Sequence, residues 1–135
     1  MKTLKKALPL LIIFSFIFNL GSFTYNEEIP RDIAIAFRVG SAEELARYFN
    51  NTIELVLLDK EDVYSKIQAQ QIVDNFFIEY FPKNFEFIHQ GGKGESKFAI
   101  GKLETFNGTF RVTILIKLKD EKPLIHQLRI ETENE

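Results

Sequence analysis

The chain has 135 residues, 17 of them basic and 19 acidic, and its formal net charge is −2. It contains no cysteine, which excludes disulfides and a cysteine nucleophile, so that the fold must rest on an apolar core. Its 14 phenylalanines can supply that core. No clustered basic face is evident, and we therefore expect no nucleic-acid partner.

The N-terminal segment has the three-part pattern of a secretory signal peptide. Lys2, Lys5 and Lys6 precede an uncharged apolar run over residues 7–20, and the small residues Gly21 and Ser22 follow it. The run is shorter than the roughly 20 apolar residues that a bilayer-spanning helix needs. We therefore predict a signal peptide over residues 1–22, with an uncleaved anchor as the alternative. The mature chain is expected to be periplasmic or extracellular, with no stable membrane span.

Three helices are predicted in the next part of the chain. The first begins at Pro30 and ends at Gly40, and the second begins at a Ser41–Glu44 capping box and extends to Asn50 and Asn51. A strand follows over residues 52–58. The third helix begins at a second capping box, Ser65–Gln68, and ends at Pro82. Its apolar residues recur at helical spacing: Ala69, Ile72, Val73, Phe76, Phe77, Tyr80 and Phe81.

Four strands are predicted after the third helix, over residues 85–90, 97–103, 110–118 and 124–132. A glycine-rich loop at residues 91–94 separates the first two, and Asn107-Gly108 is a strong hairpin signal between the next two. The predicted order is α-α-β-α-β-β-β-β. This order predicts one α+β domain over residues 29–132, with helices packed on one face of a curved antiparallel sheet.

Several short motifs carry a resemblance to a known family. They are Tyr64-Ser65-Lys66-x-Gln68-Ala69, Phe76-Phe77, His89-Gln90-Gly91, Ile100-Gly101, Gly108-Thr109-Phe110-Arg111-Val112 and Gln127-Leu128-Arg129-Ile130. In this order they resemble the small exported bacterial proteins of the domain of unknown function 4783 family, over residues 29–131. The resemblance implies a cystatin-like, nuclear-transport-factor-2-like cone, in which a bent sheet wraps around a long helix. It implies no reaction.

Four residues are candidates for lining a pocket inside such a cone: Tyr64, Tyr80, His89 and His126. Strand alternation places His89 on the face of Phe85 and Phe87, and His126 on the face of Leu128, which should be the core side. Two inward histidines would suit a general acid/base pair. The alternatives are tyrosines that only pack and strand-end histidines with satisfied hydrogen bonds. No partner ligands occur at metal spacing, so neither a metal nor a cofactor is expected.

Three functions are consistent with this sequence. The leading hypothesis is a non-catalytic module that binds an unknown small molecule or protein outside the cytoplasm. The alternative is a small-molecule isomerase or lyase that uses the cone interior, with His89 or His126 as the base. The third is a structural homodimer, formed through Ile88, Leu115 and Ile125, which alternation places on the sheet face opposite the helices.

Overall fold

The computed structural model describes residues 29–133, so the predicted signal peptide lies outside the described residues. Three helices are present: α1 (Arg31–Val39), α2 (Ala42–Ala46) and α3 (Lys66–Glu79). The six strands are β1 (Phe49–Leu57), β2 (Lys60–Ser65), β3 (Pro82–Lys93), β4 (Ser96–Thr105), β5 (Gly108–Lys119) and β6 (Lys122–Thr132). No helix within residues 29–133 is both long and apolar enough to cross a bilayer.

All six strands form one sheet in the order β2-β1-β6-β5-β4-β3. Neighbouring strands are antiparallel, except that β1 runs parallel to β6. The predicted α+β class is confirmed, but the predicted order is wrong by one element. Strand β2 is absent from the predicted order, because this edge strand is mostly exposed and its Lys60-Glu61-Asp62 start shows no apolar alternation. The predicted second helix is also too long, since Phe49 already belongs to β1.

The helix boundaries follow from local hydrogen bonds. At the start of α3, Ser65 Oγ accepts from the Gln68 N–H at 3.2 Å, and Gln68 Oε1 accepts from the Ser65 N–H at 3.2 Å, so this capping box is complete. At α2 only half of the predicted box forms. Ser41 Oγ accepts from the Glu44 N–H, whereas the Ser41 N–H donates to the Ala36 carbonyl at the end of α1.

The core lies between the helices and one face of the sheet, called here the core face. Leu55, Leu128, Ile114 and Ala99 are register partners on four adjacent strands, and all four are buried on this face. Phe37 of α1 stacks on the Phe85 ring with centroids 4.6 Å apart. The helices therefore bury their aromatic side chains against the central strands.

Two strand irregularities change which side chains face outward. The pairing of β5 with β6 shifts by one residue between Leu115 and Ile116, because β6 has an extra residue at this point. As a result, the Ile125 side chain lies in the core and is 0% exposed. A second shift in β3 lies at Ile88, which is 57% exposed. The prediction of an apolar patch formed by Ile88, Leu115 and Ile125 is therefore wrong, because Ile125 is buried in the core, whereas Ile88 is exposed and Leu115 is half-buried as predicted.

Candidate functional site

A pocket of about 400 Å³ lies between α3 and the β1–β2 hairpin; we call it the helix–hairpin pocket. Strand β1 provides the apolar floor, α3 provides one wall, and the β1–β2 turn with β2 provides the other. Its lining residues are Leu55, Leu57, Leu58, Asp59, Lys60, Tyr64, Ile72, Asn75, Phe76, Glu79 and Tyr80. Its size falls within the range typical of small-molecule sites.

The capping box fixes the angle between the two walls. Ser65 is both the last residue of β2 and the N-cap of α3, so the chain passes from one wall to the other without a flexible linker. Strand β2 is antiparallel to β1, and Tyr64 of β2 is the register partner of Ile53. The local sequence therefore sets the relative positions of Tyr64 and the α3 side chains.

The β1–β2 turn contains a strained residue at the pocket. Leu58 has φ 57°, a left-handed conformation that costs a side-chain-bearing residue about 1 kcal/mol. Its backbone N–H donates to the Ile130 carbonyl of β6 at 2.8 Å, which holds the turn against the sheet. Strain of this kind is frequent where a binding site needs a fixed backbone. Here it keeps the half-buried Leu58 side chain in the pocket lining.

Aromatic contacts order the α3 side of the pocket. The ring centroid of Phe76 lies 5.2 Å from that of Phe110 and 4.9 Å from that of Tyr80. Tyr80 also contacts Phe110 edge-on, with centroids 4.9 Å apart. Three mutual contacts of this kind restrict the orientation of each ring. The Tyr80 ring is therefore held in place by packing against these two rings.

The polar groups of the pocket differ in exposure. Tyr64 and Tyr80 are half-buried, and within residues 29–133 neither hydroxyl hydrogen-bonds to another residue. The four remaining polar residues are exposed at the rim: Asp59, Lys60, Asn75 and Glu79. The pocket thus has an apolar floor, two half-buried phenols with free hydroxyls, and charges only at its mouth.

The structure brings together two of the four predicted site residues, Tyr64 and Tyr80, and places both histidines elsewhere. The predicted site does not include the floor residue Leu57 or the rim residues Asp59 and Lys60. These residues belong to the hairpin whose second strand was missed. The charged Lys60-Glu61-Asp62 start of that strand gives no apolar alternation that would have located them.

The predicted inward orientation of His89 is wrong. The β3 bulge shifts the register, so that Phe87 pairs with Gly101 whereas His89 pairs with Ile100 on the opposite face. The His89 side chain is exposed and lies beside the Phe98 ring, with centroids 5.6 Å apart. It is separated from the helix–hairpin pocket by the sheet itself.

His126 is the extra residue of the β6 bulge, between core residue Ile125 and Gln127. It does not line the pocket. Its Nε2 atom is buried and has no hydrogen-bond partner among residues 29–133, in contrast to the satisfied histidine that was the alternative prediction. Burial lowers the pKa of His126 below the usual value for histidine, and the nearby Lys117 and Lys119 ammonium groups lower it further.

The lowered pKa of His126 predicts that the stability of the folded protein depends on pH. The unfolded chain binds a proton at this histidine near pH 6.5 more readily than the folded chain, so the folded state loses stability as the pH falls through that value. Between about pH 7.5 and 5.5, the free energy of unfolding should therefore fall more steeply for wild type than for His126→Gln. Urea titrations at several pH values measure this difference. Identical slopes for wild type and His126→Gln would contradict the prediction.

Metal-ligating side chains are dispersed. Among residues 29–133, no three His, Asp or Glu side chains lie close enough to hold a metal ion. The two carboxylates at the pocket rim, Asp59 and Glu79, have no histidine beside them in the lining. The arrangement is therefore suited to holding an organic molecule by apolar contact and by hydrogen bonds to the two phenols.

Sequence and structure comparisons identify the family. The family described as domain of unknown function DUF4783 matches residues 30–131. The chain belongs to this family. The match to DUF4783 includes every residue that lines the helix–hairpin pocket. Among proteins with curated functional descriptions, none matches the chain.

Solved structures of DUF4783 proteins share this fold. A protein from Bacteroides ovatus is 37% identical, with 82% of this chain and 100% of that chain covered, at a TM-score of 0.77. A protein from Bacteroides uniformis is 33% identical, with 80% and 100% covered, at a TM-score of 0.76. A cystatin-like protein of unknown function from Nostoc punctiforme is 14% identical, with 78% and 73% covered, at a TM-score of 0.62, and shows the fold alone. The cystatin-like fold expected for this family is therefore confirmed.

Proposed function

We propose that this DUF4783 domain binds a small organic molecule in the helix–hairpin pocket and does not transform it. The observation that carries the proposal is the combination, in one pocket of about 400 Å³, of an apolar floor with the Tyr64 and Tyr80 hydroxyls, which hydrogen-bond to no other residue within the described range 29–133. Ligand sites characteristically combine a mostly apolar lining with a few fixed polar groups. The strained Leu58 backbone adds to the support, because it holds one wall in a conformation that folding alone would not favour.

Binding is better supported than catalysis. The isomerase or lyase alternative needs a base beside the bound molecule, and the two histidines considered for that role lie outside the pocket lining. The carboxylates that remain, on Asp59 and Glu79, belong to side chains exposed at the rim. A base must come within hydrogen-bond reach of the proton that it removes and have a suitably shifted pKa. Nothing at the floor of the pocket supplies such a group.

The proposed place of action is outside the cytoplasm. This part of the proposal is supported by the basic, apolar and small-residue order of the first 22 residues. A carrier or sensor of a small molecule would suit that location, since it needs neither a nucleotide nor a reducing environment. That the protein self-associates, or binds a protein partner, stays a prediction made from the sequence.

Filling the pocket should abolish binding. Ile72 lies on α3 in the pocket lining, and replacing it with tryptophan places a bulky ring where the ligand would lie. We expect wild type to bind one molecule of the neutral fluorescent probe N-phenyl-1-naphthylamine, and Ile72→Trp to bind it at least about tenfold more weakly. Probe fluorescence titrated against each folded variant measures the affinity.

A matched control exists on the same helix. Ile67 is 81% exposed and outside the pocket lining, so Ile67→Trp should keep wild-type affinity. If Ile72→Trp does not fold, Asn75→Trp obstructs the mouth from an exposed position instead. Native mass spectrometry of protein purified from its own cells would measure the mass of any molecule that the protein retains. Equal probe binding by wild type and the two pocket variants would show that the probe binds elsewhere and would contradict the proposal.

A further inference from the structure

The polarity of the helix–hairpin pocket changes with depth. Leu55 and Phe76 are buried at the floor, whereas Asp59, Lys60 and Glu79 are exposed at the mouth. Between these levels lie only half-buried groups without a formal charge, including the Tyr64 and Tyr80 hydroxyls. A ligand that reaches the floor therefore leaves the charged rim behind and meets only neutral groups.

From this gradient we infer the chemical class of the ligand: a neutral molecule with an apolar body and an alcohol, phenol or ketone oxygen. The inference rests on the proposed binding function. Moving an ion out of water is costly unless a charged partner compensates it, and the inner pocket offers none. A neutral oxygen has two suitable partners, because each phenol both donates and accepts a hydrogen bond.

The rim charges give an ionic ligand little advantage. Two carboxylates, on Asp59 and Glu79, are partly offset by the ammonium of Lys60, so the rim keeps only a small net negative charge. All three side chains are exposed, and ion pairs between exposed groups and a ligand are weakened by solvent. Affinity must therefore come from apolar burial, and selectivity from the two hydroxyls.

Four probes with the same ring system test the inference: naphthalene, 2-naphthol, 2-naphthoate and 2-naphthylmethylammonium. We expect 2-naphthol to bind wild type about tenfold or more tightly than either ion. Tyr64→Phe and Tyr80→Phe should each weaken 2-naphthol binding about three- to tenfold, which corresponds to one hydrogen bond, and leave naphthalene binding unchanged. Calorimetric titration of each folded protein provides the affinities.

The control substitution is Tyr48→Phe. The Tyr48 hydroxyl donates to Asp32 at 3.3 Å outside the pocket lining, so its removal should leave the affinity for 2-naphthol unchanged. An ion that binds as tightly as 2-naphthol and is lost in Ile72→Trp would overturn the inferred class while the pocket stayed a ligand site. Unchanged 2-naphthol binding in both Tyr64→Phe and Tyr80→Phe would overturn it as well. Failure of all four probes to bind wild type would overturn both the class and the proposed function.

Discussion

Replacing Phe37 with alanine is expected to lower the free energy of unfolding by about 3–5 kcal/mol. Phe37 is 0% exposed, stacks on Phe85 at 4.6 Å between ring centroids and contacts the Phe77 ring edge-on at 6.0 Å. Truncation removes this apolar contact area and leaves a cavity between α1, α3 and β3 that rigid strands cannot fill. Urea unfolding followed by circular dichroism measures the loss.

The control for this substitution lies on the other side of the sheet. Lys117 of β5 is exposed, so Lys117→Ala should change the free energy of unfolding by no more than about 0.5 kcal/mol. Similar losses for Phe37→Ala and Lys117→Ala would mean that the core does not lie between α1 and the sheet.

Gly101→Ala should also be costly, with a loss of about 1–3 kcal/mol in the free energy of unfolding. A Cβ atom at Gly101 would lie 2.6 Å from Cε1 of Phe85 and 3.1 Å from the Glu86 carbonyl oxygen. The Phe85 ring cannot move away easily, because Phe37 stacks on one side of it and Phe87 contacts it edge-on. Thermal or urea unfolding of the purified variant measures the direction and size of the change in the free energy of unfolding.

A double substitution separates this clash from a general effect of alanine in β4. Phe85→Leu alone removes aromatic contacts, but it also makes room beside Gly101. The loss for Gly101→Ala should therefore be smaller in the Phe85→Leu background than in wild type, which gives a clear interaction energy in a double-mutant cycle. Strictly additive losses would contradict a steric origin of the effect.

The elements predicted best from the sequence are those whose signals are local. Helix α3 combines a complete capping box at Ser65 with apolar residues at helical spacing, and both properties depend only on neighbours in the chain. The Asn107-Gly108 hairpin is equally local, since the turn itself requires these residue types. Family motifs added the fold, which local patterns alone do not specify.

The errors arose where tertiary pairing overrides local alternation. Strand β2 exists because β1 offers a partner for its backbone, and its charged Lys60-Glu61-Asp62 start gives no periodic signal. Each bulge adds one residue to a strand, so the side chains before and after it no longer follow one alternation between the two faces. For this reason the orientation of His89 and the burial of Ile125 were predicted wrongly, although both strands were predicted.

The candidate pocket was predictable only in part. Tyr64 and Tyr80 were predicted as lining residues, because a tyrosine at the edge of an aromatic core can donate a hydrogen bond to a ligand. The opposite wall could not be named without β2, and the strained conformation of Leu58 has no sequence signal, since leucine seldom adopts a positive φ. The change of polarity with depth in the helix–hairpin pocket depends on how deeply each side chain is buried, and this cannot be read from a single sequence.

The parallel pairing of β1 with β6 has a consequence for the order in which the molecule can assemble. Within the sheet of residues 29–133, β1 and β2 join β3, β4 and β5 only through β6, which follows all of them in the sequence. The β1–β2 hairpin and α3 can form early, but the sheet closes over a very long sequence separation, which slows folding. A chain from which β6 is still missing would therefore have no backbone hydrogen bonds between its first two strands and β3–β5, and the addition of β6 would join the two parts of the sheet.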